Sequence, residues 1–503
     1  MAESSVPGLT AALGAAVVAV AIGRKVLQGY PDAHPYALAR QATVAAIRQP
    51  GESAVRRSTM TPFAFPLVHG LGLREGHAMR DGDMRDVWAL ARRATVSTYD
   101  ARTGESTTHD YDELTATVHL VAGELVQAGA TRVAVHLPWG VELLATVFAC
   151  AHYGLAAIVV PLETAAGEVA GRVAAAGADV LVTEAGTAEL GALAGKLKTV
   201  VVVVPTGADE HLDWTEAAKP LGAPVRTWAE VVGGERTSPR PLEEGASTGA
   251  ASLAVAGPDG AVDFSDAQIV AAVAAQMRAL PADAALGPAD VVAVLDPSQA
   301  MHAWVALLAA LAAGARVVLT SGPGLTDFAA TVRGAGLTVA VQTPAALRAT
   351  LARPLGLLAQ LRAARAASLL AAGRLPGALD SAYASLRLVL TAWAPGTAPP
   401  LTSAELALVR ARLGARVASS LVNAHVAGPL CQTVAVDYRD HGARVEFGPP
   451  QPCLELLVRD TPAADPADGP GELCVRGNSS AEPDWYPTGI VGQFGPDGTF
   501  ALA

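Results

Sequence analysis

The 503-residue chain is 51% hydrophobic and 17% charged, with a mean hydropathy of +0.33, a balance that excludes a largely disordered polypeptide. Its length suggests roughly two to four structural units, and the lack of repeated long apolar blocks excludes a multi-span membrane protein. A formal charge of −11 offers none of the basic surplus that nucleic acid binding needs, so that partner is excluded.

The first element is Val6 to Gly23, an uncharged stretch followed at once by Arg24-Lys25. As a helix rising ~1.5 Å per residue it would reach about 27 Å, enough for a thin bilayer. Because the charge follows the apolar run, a cleaved secretory signal is disfavoured and the positive-inside rule keeps the rest cytosolic. The segment (residues 1–28) therefore reads as a single-pass anchor or membrane-embedded hairpin, on the endoplasmic reticulum or another organelle surface. A buried soluble helix is the competing reading. Residues 29–95 are irregular and rich in Pro, Arg and Asp, and read as a leader lying over the body.

From Val96 short β segments alternate with amphipathic helices. A hairpin over Tyr99 to Glu113 leads to helix Leu114 to Ala128, strand Arg132 to Leu137, helix Val141 to Tyr153, and strands at Ala156, Val180 and Thr199. Apolar strands separated by helices signify βαβ units with a parallel sheet, here over 96–240. A Gly/Pro/Ser/Glu-rich break at 233–250 precedes a second such run over 241–444, with strands at Val291, Arg316, Thr338, Leu386 and Arg416 and a helix over Ser403 to Leu413. Residues 445–503 turn to short alternating strands, a small β-subdomain. The fold expected is α/β: two stacked βαβ-type subdomains plus a small β-subdomain. Four scattered cysteines without CxxC spacing predict buried small hydrophobes and no metal site. Lysine occurs only at Lys25, Lys196, Lys198 and Lys219.

GPGELCVRG (Gly469 to Gly477) followed by DWYPTGIVGQFGPDGTFAL (Asp484 to Leu502) resembles the closing stretch of the large domain of adenylate-forming enzymes. Leu386 to Val417 is similar to that family's strand, Gly-rich nucleotide loop containing Gly396, and helix. Leu295 to Leu319 resembles its acyl-pocket helix, and Ala251 to Val273 sits where its phosphate loop belongs. The resemblance covers about 95 to 503 and points to the long-chain acyl-CoA synthetase-like branch of the AMP-binding superfamily, whose members use ATP, Mg²⁺ and CoA.

Four requirements of that chemistry are altered. The phosphate loop needs hydroxyls and lysine. Here Gly257, Pro258, Asp259 and Gly260 form an expected hairpin turn with an acid in the lysine's neighbourhood; Ser247-Thr248 upstream offers hydroxyls without lysine. The ribose-holding aspartate of the TGD motif is replaced in Thr488-Gly489-Ile490. The stretch Asn423 to Leu430 lacks the carboxylate that holds Mg²⁺, leaving His425 as a base contact or a structural residue. The chain ends at Ala503, where the hinge to the family's mobile small domain would begin, so that domain and its lysine are expected to be absent.

These changes imply an acyl-CoA-synthetase-like pseudoenzyme that binds fatty acid or acyl-CoA, or acts as a membrane scaffold, with ATP, Mg²⁺ and CoA used only under a ligase reading. Its surviving pocket would use Met301, His302, Trp304 and Trp393, against ordinary core packing for each. The alternatives are a diverged long-chain fatty acid–CoA ligase rebuilt around Ser247, Thr248, His302, His425 and Thr488, and a regulatory subunit of an active paralogue. The latter would pair through the face that an absent small domain leaves open.

Overall fold

The computed structural model describes residues 29–187, 189, 191–204, 221–233, 251–258, 260–459 and 470–503, with Gly14 and Val18 besides. The anchor expected over 6–23, most of the break at 233–250, Ser247, Thr248 and Asp259 therefore lie outside the described residues, apart from those two positions and Gly233. Among the described residues no helix is long and apolar enough to cross a membrane.

Among the described residues three large sheets organise the chain, with a two-stranded hairpin of Leu73–Glu75 and Ala78–Arg80 besides. The first runs Val225–Thr227, Thr199–Val203, Val180–Glu184, Arg132–His136, Ala156–Val159, Ala251–Gly257, Gly260–Ser265. It is parallel until the final antiparallel hairpin. The second runs Pro429–Gln432, Arg416–Val422, Leu388–Trp393, Val339–Val341, Val291–Val294, Arg316–Leu319, Thr95–Asp100, Glu105–His109, parallel in its middle and antiparallel at both edges. Its strands VVAV, RVVL and VAV are β-branched and mostly buried, as strands covered on both faces must be.

Between these sheets lie helices Val141–Tyr153, Asp266–Ala279 and Met301–Ala312, apolar nearly all round and mostly buried. One core joins them to the inner faces of both sheets, including Val133, Val159, Val294 and Val317. Smaller helices cover the outer faces, Ala166–Ala175 on the first sheet and Phe328–Ala335 and Ser403–Leu413 on the second. The last shows the local logic well. Thr402 and Glu405 cap its start reciprocally, and Gly414 ends it at φ 62°, where a Cβ would meet the Ala378 amide.

The third sheet is antiparallel: Ala42–Val44, Arg56–Ser58, Leu454–Arg459, Gly471–Gly477, Tyr486–Phe494, Phe500–Leu502, Glu446–Phe447. Sheet membership crosses the sequence divisions. The hairpin 95–109 belongs to the second sheet, the hairpin 251–265 to the first, and two strands of the leader pair into the third. Helix Leu357–Ala371 has no counterpart among the expected elements.

Candidate functional site

Parallel strands of the second sheet deliver their C-terminal ends to one rim, the usual place for a site in open α/β sheets. Strand Val291–Val294 leads through Leu295 to Asp296, and the loop 296–300 enters helix Met301–Ala312. His302, in the first helical turn, holds Asp296 through Nε2 at 2.9 Å, with side chains 10% and 5% exposed. Facing a carboxylate, Nε2 is the protonated nitrogen and donates. Burial by itself would push the Asp296 carboxyl up. Hydrogen bonds from His302 and Ser298 outweigh it and hold the group below the usual carboxylate range.

The rest of this loop is tied to the first sheet. Trp139 Nε1 donates to the Asp296 carbonyl at 2.8 Å, and Gln299 Nε2 donates to the Leu137 carbonyl at 2.9 Å. Trp139 packs on Trp304 with ring centroids 5.1 Å apart. Gln299 is fully buried and has φ 49°, the one positive value at a non-glycine residue among those described. Such a residue costs about 1–3 kcal/mol and persists only where its surroundings fix it. Three buried polar atoms here lack a hydrogen-bond partner: Gln299 Oε1, His302 Nδ1 and Trp304 Nε1. Glu163, pushed up by partial burial and by the nearby Asp296 charge, completes the acidic side. The cluster can bind a polar group through the unpartnered Gln299 Oε1, His302 Nδ1 and Trp304 Nε1.

The segment expected from sequence to meet a nucleotide differs. Asn423 follows strand Arg416–Val422, donates through Nδ2 to the Thr488 carbonyl at 3.3 Å, and accepts the His425 amide at 2.9 Å. His425 stacks on Tyr486 at 4.5 Å and faces Glu482 at 3.6 Å. His425 and Thr488 are thus brought together. The Thr488 hydroxyl donates to the Leu473 carbonyl at 2.7 Å, and Ile490, 3% exposed, packs into an apolar cluster with Leu421, Leu430 and Phe447. Gly428 backs onto Val305, joining this segment to the helix of His302.

The remaining sequence-derived positions are dispersed. Gly257 and Gly260 pair with each other in the antiparallel hairpin at the edge of the first sheet. Gly396 lies in an exposed loop at φ 83°. Trp393 stacks on Phe447 at 6.1 Å, facing the third sheet and not His302. Asp296, Gln299 and Trp139 were not singled out from sequence; the signal was an Asp six residues before His302 at a strand–helix junction. The four cysteines are all buried, and burial pushes the Cys474 thiol up to about 11.

At the Thr488–Ile490 segment the described residues offer no free side-chain contact for a ribose. The Thr488 hydroxyl is taken by main chain and Ile490 by the core, and no group of three or more His, Cys, Asp or Glu among the described residues could hold a metal ion.

The family model for AMP-binding enzymes matches residues 87–248 and 260–483. Among curated proteins, the uncharacterized protein YHR045W of Saccharomyces cerevisiae is 40% identical over 52 residues, 10% of this chain and 9% of that protein's length. Among solved structures, the N-terminal domain of FACL13 from Mycobacterium tuberculosis superposes with a TM-score of 0.59 at 15% identity, covering 83% of this chain and 99% of that one. An acyl-CoA synthetase of Brucella canis gives 0.61 at 18% identity, covering 83% and 74%. At these identities the structures share the fold. With the model matching well over half its length, the chain belongs to the AMP-binding enzyme family, in the architecture of that family's large N-terminal domain.

Proposed function

We propose that this chain is an acyl-CoA-synthetase-like member of the family that has lost adenylation and kept acyl binding, serving as a fatty-acid or acyl-CoA binding protein or scaffold on a membrane. The observation that carries this reading is the fate of Thr488-Gly489-Ile490: one hydroxyl is consumed by a main-chain carbonyl, and an isoleucine in the apolar core stands where the family places its ribose-holding aspartate. An Ile side chain accepts no hydroxyl. The buried Asp296–His302 pair, by contrast, retains polar capacity beside an apolar helix suited to an acyl chain. The membrane location, a single-pass anchor with a cytosolic body, is supported by the uncharged stretch 6–23 before Arg24-Lys25.

The test is calorimetry of the full chain with magnesium ATP, alongside pyrophosphate release with ATP, CoA and a long-chain fatty acid. We expect no ATP heat, no pyrophosphate, and saturable binding of a fluorescent fatty acid. Micromolar ATP binding or fatty-acid-dependent pyrophosphate release would sink this reading in favour of a diverged ligase. Absence of acyl binding together with a stable complex in cell extracts would favour a regulatory subunit.

A further inference from the structure

Helix Leu357–Ala371 is anomalous for a surface helix. Only Ala366 and Leu370 are buried, while Leu357, Leu358 and Leu361 are 74%, 69% and 70% exposed. At 3.6 residues per turn these leucines share an arc of about 140° with the exposed Arg362 and Arg365, opposite the buried side. Leu408 on helix Ser403–Leu413 adds another apolar side chain at 59% exposure. An apolar cavity of about 870 Å³ opens between the two helices, floored by Ala363, Ala367 and Ala407.

The charge of this region runs against that of the chain. Between Asp327 and Asp380 the sequence holds six arginines and no acid, within a protein of formal charge −11; Arg348 is paired with Glu405, while Arg362 and Arg365 are exposed on the helix itself. The end of the helix also receives the start of the described chain. Asp32 N donates to the Gly373 carbonyl at 2.8 Å, the Asp32 carboxylate accepts the Leu375 amide at 3.3 Å, and Tyr30 beside it is 94% exposed. Only six residues lead from Gly23 to Gly29, at most about 20 Å of extended chain. Whatever the apolar stretch 6–23 enters therefore lies on this side of the molecule.

We propose that helix Leu357–Ala371 is a docking surface for an anionic lipid bilayer: its leucines enter the acyl boundary, and Arg362 and Arg365 reach lipid phosphates. Tyr30 and Tyr36, the latter 70% exposed, sit at headgroup level. The face is a second membrane contact, separate from the stretch 6–23. It rests on the membrane location above for its occupant and is independent of whether the fold adenylates.

The experiment separates the two contacts using the full chain carrying Val18→Arg, which places a charge within the apolar stretch. Flotation with phosphatidylcholine vesicles, with and without phosphatidylserine, measures partition. The V18R protein is expected to bind phosphatidylserine vesicles in a salt-sensitive way. Adding L357S/L358S/L361S should lower its partition about tenfold or more, and adding R362Q/R365Q should do so on the anionic vesicles. Because the four native cysteines are buried, Leu361→Cys can be labelled selectively, and an environment-sensitive dye there should shift to the blue on vesicles. Unchanged partition of the serine variant, or an unshifted dye, overturns the proposal. Loss of all vesicle binding in V18R alone, with no effect of the serine changes on the wild-type background, leaves the stretch 6–23 as the whole anchor and also overturns it. A dimer that becomes monomeric in the serine variant while vesicle binding persists would assign the face to a second copy, and it overturns the bilayer proposal as well.

Discussion

The Asp296–His302 region, the proposed acyl end, and the Thr488–Ile490 region, the proposed nucleotide end, sit on one scaffold and have been filled in opposite ways. Around Asp296 and His302 the interior holds a charged pair, a strained Gln299 and three unpartnered polar atoms. Around Thr488 and Ile490 the hydroxyl is satisfied internally and the neighbouring side chain joins an apolar cluster. Unmatched buried polarity is costly and is retained where something uses it; complete apolar packing stabilises the fold and leaves nothing to contact a ligand. On the function proposed above, the scaffold of a family survives intact while one half of its site closes and the other stays open.

The largest expected effect lies at the acyl end. His302→Leu leaves Asp296 buried and unpaired, which should cost about 3–5 kcal/mol in urea unfolding and weaken fluorescent fatty-acid binding. The double variant with Asp296→Leu should recover most of the stability without the binding. Because the pair holds the Asp296 carboxyl below its unfolded value, its contribution is present above about pH 4 and lost as pH falls further. If H302L proves as stable as wild type, the acyl end is ordinary packing and the contrast collapses.

The nucleotide end is probed by putting back what the family carries. Ile490→Asp places a carboxylate among Leu421, Leu430 and Phe447. It should cost about 3 kcal/mol or more and confer no ATP binding. A stable I490D protein that binds magnesium ATP would show this end to be open.

The sequence foretold the layered parallel sheets because VVAV, RVVL and VVVV can only be strands buried on both faces, and helices 141–153 and 403–413 match the expected bounds residue for residue. It could not assign the hairpins 95–109 and 251–265 to their sheets, since which edge a hairpin joins is decided by long-range pairing that leaves no local periodicity. Helix Leu357–Ala371 was missed for a related reason: with leucines and arginines on one exposed arc it lacks the apolar-in, polar-out pattern. At the site, His302 was legible as a residue of the apolar helix that follows the strand at Val291. Its carboxylate was not, because the Asp296 partnership depends on how the loop 296–300 folds back, with Gln299 in a conformation that an amide side chain does not advertise.

A second buried histidine sharpens the comparison by lacking what His302 has. His152 has an unpartnered Nε2 and no carboxylate bonded to it; burial first, then the charges of His119 and Arg85, lower its pKa to about 4. It is neutral in the folded protein at pH 7. As pH falls below 6.5 the unfolded chain takes up the proton first, so stability is lost until about pH 4, where the folded state protonates too. The loss should be about 2 kcal/mol, smaller than the full shift because the ring keeps some contact with water. Urea midpoints measured across that window should fall in wild type and stay flatter in His152→Leu.

The smallest effect discriminates most finely. Strand Gly471–Gly477 changes register between Glu472 and Cys474 against its neighbour Tyr486–Phe494, and the Thr488 hydroxyl answers the Leu473 carbonyl at that irregularity while accepting the Ile490 amide at 3.2 Å. Thr488→Val keeps the shape and removes that bridge, so it should cost about 1 kcal/mol and leave fatty-acid binding untouched. The same hydroxyl in a working adenylating site would face a ligand, and its loss would then appear in binding at unchanged stability. A thermal melt and titrations with magnesium ATP and with fatty acid on this one variant therefore separate a threonine that mends a sheet from one that holds a substrate.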